Sequence, residues 1–367
     1  MRHPASVLPS PPLIRQRRLP CCSQGCGAAL IVLSLFAAGL VGLHRIFPQR
    51  VHVIPRHDVW SVGTFRVELQ GSRPVVSPAP GVVNPTFAAA DTGDPTALFA
   101  ADPFLVREAG TYFLFTEVLR IRDGREQGCI GVATSPDGLQ WRYLGVALDE
   151  PFHLSYPCVL KWRGRWYMVP EEGDDNCVRL YTTDRFPLGW RRTKTLLSGK
   201  TFRDSTLFEW QGRWWLFTTA DDERLEAYYA ASPEGPWHSH ARNPIVTSAR
   251  EITRPAGPPL QESGHLIRLA QDCSPTYGNA VRALDITRLT PEAYEEHELA
   301  ASPLLQDSGS GWNAAGMHQL CAVPLDGGRW IAVADGKRET GIAAFRIGPL
   351  RLDIPGALAP WLDKLAP

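Results

Sequence analysis

DPFLVREAGTYFLFTE, residues 102–117, is an apolar strand, a polar turn carrying glycine, and an aromatic strand that ends on a polar residue. The phrase returns as YPCVLKWRGRWYMVPE (156–171), DSTLFEWQGRWWLFTT (204–219), RPAGPPLQESGHLIRLAQD (254–272) and MHQLCAVPLDGGRWIAVAD (317–335). Each copy predicts a β-hairpin, because a glycine-bearing turn sits between two runs of period-2 apolar residues. The turn glycines Gly110, Gly164, Gly212, Gly264 and Gly328 are spaced by 54, 48, 52 and 64 residues. A second strand pair follows each of the first four copies, at 129–148, 177–197, 225–246 and 280–299. Four strands in about 50 residues is the size of a propeller blade. GIAAFRIGPLRL (341–352) is expected to finish the fifth blade, with a strand from WSVGTFRVEL (60–69) closing the ring. The expected fold is an all-β, five-bladed β-propeller over residues 57–355. Unrelated hairpins in a sandwich would not explain so even a period.

Composition agrees. Twelve Trp with 32 Gly and 32 Pro favour short strands and tight turns over long helices. Lys+Arg and Asp+Glu are 38 each, a zero net charge that argues against a nucleic-acid protein. Hydrophobic residues at 44% exclude wholesale disorder.

Before the repeats stands a different segment. Residues 1–26 are a basic, Pro-rich leader without hydrophobic periodicity, expected to be disordered. Gly27–Leu43 then runs 17 residues without a charge, the lower limit for crossing a bilayer core. We expect a single transmembrane or signal-anchor helix there, with a cleaved signal peptide as the alternative. Residues 44–56 are read as a linker and 356–367 as a tail. The arginines flanking the span tie, three on each side. The expectation of a membrane protein with an extracytoplasmic propeller (lumen or periplasm) therefore rests on the usual export of the chain beyond a single anchor. Five widely spaced cysteines in the globular part show no C-x-x-C pair, and their odd number leaves at least one thiol free.

In a propeller the innermost strand of each blade lines the central channel. Here these strands open with Asp102, Tyr156, Asp204, Arg254 and His318. An Asp before a strand is ordinarily a turn former, yet equivalent positions of different blades converge on one axis. The second strands end in Glu117, Glu171, Glu172, Asp272 and Asp335. The Trp residues of KWRGRWY, EWQGRWW and GGRWI are expected between blades rather than under a sugar. Nucleophile-elbow, P-loop, zinc-protease and dinucleotide motifs are absent. No metal-ligand spacing is present and no cofactor is expected, although a Ca²⁺ held by funnel oxygens stays open.

WSVGTF, NPTF, ADPF, SYP-x-V, MVPE, DSTLF, RPAG and AQDCSPTYGNAVR together resemble the N-terminal propeller domain of glucosamine inositolphosphorylceramide transferases and its stand-alone relatives, over about residues 58–350. The separate C-terminal glycosyltransferase domain has no counterpart here, so that activity is not expected to carry over. More distantly, ADPFLV and DSTLF resemble family-43 glycoside hydrolases, which are inverting. That likeness implies Asp102 as base and Asp204 as the tuning Asp. The family's acid Glu in blade four is missing, since RPAGP stands there with Arg254 near the slot. Inverting hydrolysis needs that proton donor. A phosphate leaving group needs positive charge instead, and Arg254, Arg282 and His318 are its candidate contacts. Tyr156 and Asp272 complete the expected substrate-binding set. The family tends to have His where Cys158 stands, which puts one contact in doubt. The expected partner is a carbohydrate or glycolipid, and the expected activity is glycosyl transfer from a phosphate-activated donor. The alternatives are a hydrolase with Glu171 as acid, or a non-catalytic glycan-binding propeller.

Overall fold

Two-residue turns close the hairpins of the repeat. In this computed structural model Glu108 pairs with Thr111, Trp162 with Arg165, Trp210 with Arg213 and Glu262 with His265. The two residues between each pair both have positive φ, as in Ala109 (46°) with Gly110 (83°) and Gln211 (50°) with Gly212 (74°). That is the type I′ geometry, whose twist matches the flanking strands and which glycine at the second position relieves. The structure describes residues 51–353 with gaps at 55–57, 71–72, 174–175, 222, 326–327, 340–343 and 348–349, plus a few isolated positions between 35 and 43.

Residues Asp58–Glu339 fold as one unit of five antiparallel sheets. Blade one runs Ala97–Glu108, Thr111–Arg122, Arg125–Ser135 and Arg142–Leu148, each strand pairing with the next. Blade two repeats the order from Leu154 to Ser198, and blade three from Phe202 to Thr247. In blade four the inner strand is split into Arg254–Pro255 and Leu260–Glu262. Pro258 and Pro259 lie in the break and have no amide to give the ladder.

The fifth blade corrects the expected order. Its strands are Leu320–Pro324, Arg329–Glu339, Asp58–Gln70 and Arg73–Pro78. Asp58–Gln70 pairs with Arg329–Glu339 from Asp58↔Glu339 to Glu68↔Arg329, occupying the whole edge that 341–352 was expected to take. The borrowed strand is therefore third, and its own hairpin, not 341–352, supplies the outermost strand. Ala344–Ile347 instead pairs with Val51–Ile54 and Leu350–Asp353 in a separate three-stranded antiparallel sheet. The propeller ends at Glu339 rather than 355, and a strand lies inside the expected linker. The leader and the tail lie outside the described residues, as does the 27–43 span but for isolated positions. Among the described residues no helix is long and apolar enough to cross a membrane.

Alternating apolar residues fill the seams between blades. Leu114, Ile130, Val132, Leu154, Met168 and Leu216 are fully enclosed. Trp166, Trp214, Trp215 and Trp330 of the repeat turns are buried as expected of seam residues. Trp162 of blade two meets Trp214 of blade three edge-on, centroids 6.4 Å apart.

Gly257 lies at a close approach between blades four and five: a Cβ there would stand 2.2 Å from the Leu320 carbonyl oxygen. At Gly212 a Cβ would meet open space. Gly212→Ala is therefore expected to cost about 1 kcal/mol of left-handed strain, and Gly257→Ala roughly 3 kcal/mol or more from backbone clash. Thermal unfolding of the two variants checks this; equal shifts would contradict the seam.

Candidate active site

The inner strands of blades one, two and three carry the same irregularity. Pairing with the second strand slips between Ala101 and Phe104, between Ser155 and Cys158, and between Arg203 and Thr206. Inside each slip one residue takes positive φ: Asp102 (52°), Tyr156 (42°) and Asp204 (51°). Such a conformation costs about 1–3 kcal/mol at a non-glycine residue and persists only where its surroundings hold it. Carboxylates do the holding. The amide of Asp102 donates to Asp335 Oδ2 (2.9 Å), that of Tyr156 to Asp102 Oδ2 (3.1 Å), and that of Asp204 to Glu171 Oε2 (2.8 Å). A β-bulge re-aims the side chains beside it, and here it does so at the end of the strand that faces the axis.

A cavity of about 410 Å³ opens at these bulges. Asp102, Glu171, Asp204, Arg254 and His318 of the expected set line it together. The other three are placed elsewhere. Tyr156 is fully buried, its hydroxyl between Thr206 Oγ1 and the Gly257 amide (2.7 Å each), and its ring edge-on to Phe104. Asp272 accepts Arg282 Nε at 2.8 Å and the Ser274 amide at 2.9 Å, while Arg282 Nη1 reaches Glu298 at 2.8 Å. The axis-facing position of that strand belongs to Gln271, which donates to Asp204 Oδ2 (3.0 Å) and to the Pro255 carbonyl (2.9 Å). A one-residue step on a strand reverses the face, so Asp272 points away.

Trp60, Glu117, His153 and Tyr277 also line the cavity. Trp60 stacks on His318 (centroids 4.1 Å, 26°), and Tyr277 stands edge-on to both rings. The Arg254 guanidinium lies over Tyr277, 5.0 Å from its centroid. In the sequence Glu117 shows only as a strand end. Its register partner, Ala101, is the neighbour of Asp102 and is the signal that points to it. Trp60 and Tyr277 come from distant loops and strands, and no local pattern points to them.

Burial pushes the Asp102 carboxyl up to about 6; His318 draws it down, and Asp335 and Glu171 push it further up. His318 lies above the ordinary imidazole value. Burial alone would lower it, but Asp335 Oδ1 at 2.8 Å from Nδ1 and Asp102 Oδ1 at 3.3 Å from Nε2 outweigh that. Burial also pulls Asp204 upward, against Arg254 Nε at 2.6 Å. Asp204 in turn raises Arg254 well above its ordinary range. An arginine does not give up its proton, so the resting state is the ion pair. Glu171 accepts Arg203 Nη1 (3.1 Å) on one oxygen and the Asp204 amide on the other. Both of its oxygens are thereby engaged in holding the frame of the site.

Among the described residues Asp102, His318 and Asp335 bring ligand-type atoms within 4.8 Å of one another. Asp335 Oδ1 already accepts His318 Nδ1 and the amides of His318 (3.2 Å) and Gln319 (3.0 Å). A metal would have to displace these bonds, so the group fits a hydrogen-bonded His318–Asp335 pair with the Asp102 carboxyl set against its far nitrogen. Asp335→Ala strands four donors around a fully buried position, and is expected to cost about 3–5 kcal/mol. Chemical denaturation reads this directly; an unchanged midpoint would contradict the role.

The family described as glucosamine inositolphosphorylceramide transferase 1, N-terminal, matches residues 61–337. Glucosamine inositolphosphorylceramide transferase 1 of Oryza sativa subsp. japonica is 38% identical over 302 residues, covering 76% of this chain and 40% of that protein. Its Arabidopsis thaliana namesake is 35% identical over 303 residues, covering 77% and 39%. The chain thus spans about two fifths of the length of these curated relatives. A putative glycoside hydrolase from Parabacteroides distasonis superposes with a TM-score of 0.50 at 12% identity, over 70% of this chain and 95% of that one. That likeness concerns the fold alone.

Proposed function

As the chain belongs to the glucosamine inositolphosphorylceramide transferase N-terminal family, we propose that its funnel transfers a sugar from a phosphate-activated donor to a hydroxyl of a carbohydrate or glycolipid. The observation that carries this reading is the placement of Asp102, Arg254 and His318 in one cavity. Asp102 Oδ1 is buried and accepts no ordinary hydrogen bond among the described residues. In the proposed step it takes the proton of the acceptor hydroxyl. The acceptor oxygen bonds to the anomeric carbon, the bond from that carbon to the phosphate oxygen breaks, and its electron pair leaves on the phosphate. Arg254 faces that charge, oriented by Asp204. The inversion follows from attack opposite the leaving group. The uncharged Gly27–Leu43 run would tether the site to a membrane, with the propeller extracytoplasmic.

Glu171 is not free to act as an acid, which weakens hydrolysis of alkyl glycosides. One observation favours hydrolysis nonetheless. Five carboxyl residues line the cavity (Asp102, Glu117, Glu126, Glu171, Asp204) against one arginine, a balance better suited to a neutral glycan than to a phosphate.

A screen of the full chain against activated sugars and aryl glycosides separates the readings. Asp102→Asn is expected to lower kcat by about 10²–10⁴-fold, the range of a general base. Wild-type activity should rise as pH climbs through about 6, where Asp102 ionises. Turnover of aryl glycosides alone would overturn transfer, and glycan binding untouched by Asp102→Asn without turnover would leave a binding module.

A further inference from the structure

The carboxylates at the ends of the second strands share a structural task. Asp335 of blade five accepts the bulge amide of Asp102 in blade one, and Glu171 of blade two accepts that of Asp204 in blade three. By the same rule Glu117 of blade one would accept the bulge amide of Tyr156 in blade two. That amide goes to Asp102 Oδ2 instead. Glu117 is left as a carboxyl with its side chain 7% exposed, opening on the cavity and holding no bulge amide.

One atom of this corner then needs an explanation. Asp102 Oδ1 is buried with no N–H or O–H donor among the described residues, His318 Nε2 being 3.3 Å away and off hydrogen-bonding geometry. Glu117 sits beside it, since its strand partner is Ala101. Two adjacent carboxyls in a dry site cannot both be charged, and one proton between them would satisfy the orphaned oxygen. On the far side of Glu117, the Gly128 amide donates to His153 Nδ1 at 3.0 Å. That bond places the imidazole proton on Nε2, which faces Glu117 Oε1 at 3.4 Å. Oε1 is thereby the acceptor, and the other oxygen is the one to carry a proton.

We propose that Asp102 and Glu117 act as one dyad sharing a single proton, with His153 as the positioning residue that fixes which oxygen of Glu117 carries it. The dyad deepens the reading of Asp102 as the base and rests on it. The surroundings support a retained proton: burial holds Glu117 well above the ordinary carboxyl value, and Asp102, Glu171 and Asp335 raise it further. Facing the pair are Glu126 from blade one, His153 and Glu171 from blade two, and Asp335 and His318 from blade five. Asp204 and Arg254 line the same cavity, so among the described residues the two histidines and Arg254 are the basic groups there that oppose the acids.

The chemical consequence is a window. With one proton shared, the pair carries a single negative charge, so Asp102 can take the acceptor's proton while a negatively charged leaving group is tolerated nearby. After transfer both carboxyls are protonated, and one proton returns to water to reset the site. At low pH the pair is doubly protonated and lacks a base. At high pH it carries two charges and repels the phosphate. The activity profile is therefore a bell.

The test combines two measurements on the full chain. Glu117→Gln keeps a donor to Asp102 Oδ1 but cannot ionise, so the alkaline limb of the profile should disappear while the acid limb remains. Glu117→Asp, which keeps the acid, should restore that limb. A uniform loss with both limbs in place would mean a structural role only and overturn the dyad. The second measurement needs no turnover. In carboxyl-labelled protein, NMR should show Glu117 protonated through neutral pH, and the Asp102 titration should move in Glu117→Gln. A Glu117 that ionises near the ordinary value of about 4.3 would overturn the dyad whatever the enzyme's reaction. A shared proton with no glycosyl turnover would leave the dyad standing and remove the transferase reading.

Discussion

Everything in the funnel depends on one buried carboxylate, Asp335. It is wholly enclosed and accepts four hydrogen bonds: from the Asp102 amide, the His318 amide and imidazole, and the Gln319 amide. A propeller is a ring, and its last blade must be fixed to its first. Here the backbone closure is the long pairing of Asp58–Gln70 with Arg329–Glu339, which sits away from the axis. Asp335 repeats the closure at the axis itself, tying blade five to the bulge that aims Asp102. Unpaired donors in such a place would be expensive, so the same group that joins the ring also sets the geometry of the base.

The other seams use variations on this joint. Glu171 ties blade two to blade three through the Asp204 amide. Thiols do similar work one layer deeper: Cys321 Sγ accepts the Leu105 amide (3.2 Å), and Cys158 Sγ accepts that of Leu207 (3.4 Å). Burial pushes both thiols up to about 12, which makes them inert, neutral acceptors. Cys158, where the family resemblance implies a histidine, is thus part of a seam in this protein and not a wall of the cavity. A ring held by repeated joints leaves few polar side chains without a structural duty, and Glu117 stands out because it has been released from one.

Much of the fold was readable from the chain, because a period of about 50 residues is a statement about blades rather than about any single strand. The turn glycines, the hairpins and the strand-opening residues came from that period alone. The outer half of blade five did not. Alternation marks 341–352 as strand-like, but only the pairing of Asp58–Gln70 reveals that the edge is already taken. Of the expected residues, Asp102, Glu171, Asp204, Arg254 and His318 come together around one cavity. Tyr156 occupies an equivalent backbone position, yet its large ring is drawn down between blades. Asp272 was misplaced by one residue, with Gln271 in the axial place. Trp60 and Tyr277 approach from segments more than 200 residues apart in the chain, a distance that no window of sequence bridges.

The central claim is that a sugar is handled at Asp102, inside the funnel and against the Trp60–His318–Tyr277 wall. A crystal structure with a bound glycan or acceptor fragment tests it most directly. The expected result is a sugar hydroxyl within hydrogen-bonding distance of Asp102 Oδ1, with the donor side of the ligand toward Arg254. A glycan seated on another face of the propeller, with the funnel closed to it, would contradict the claim.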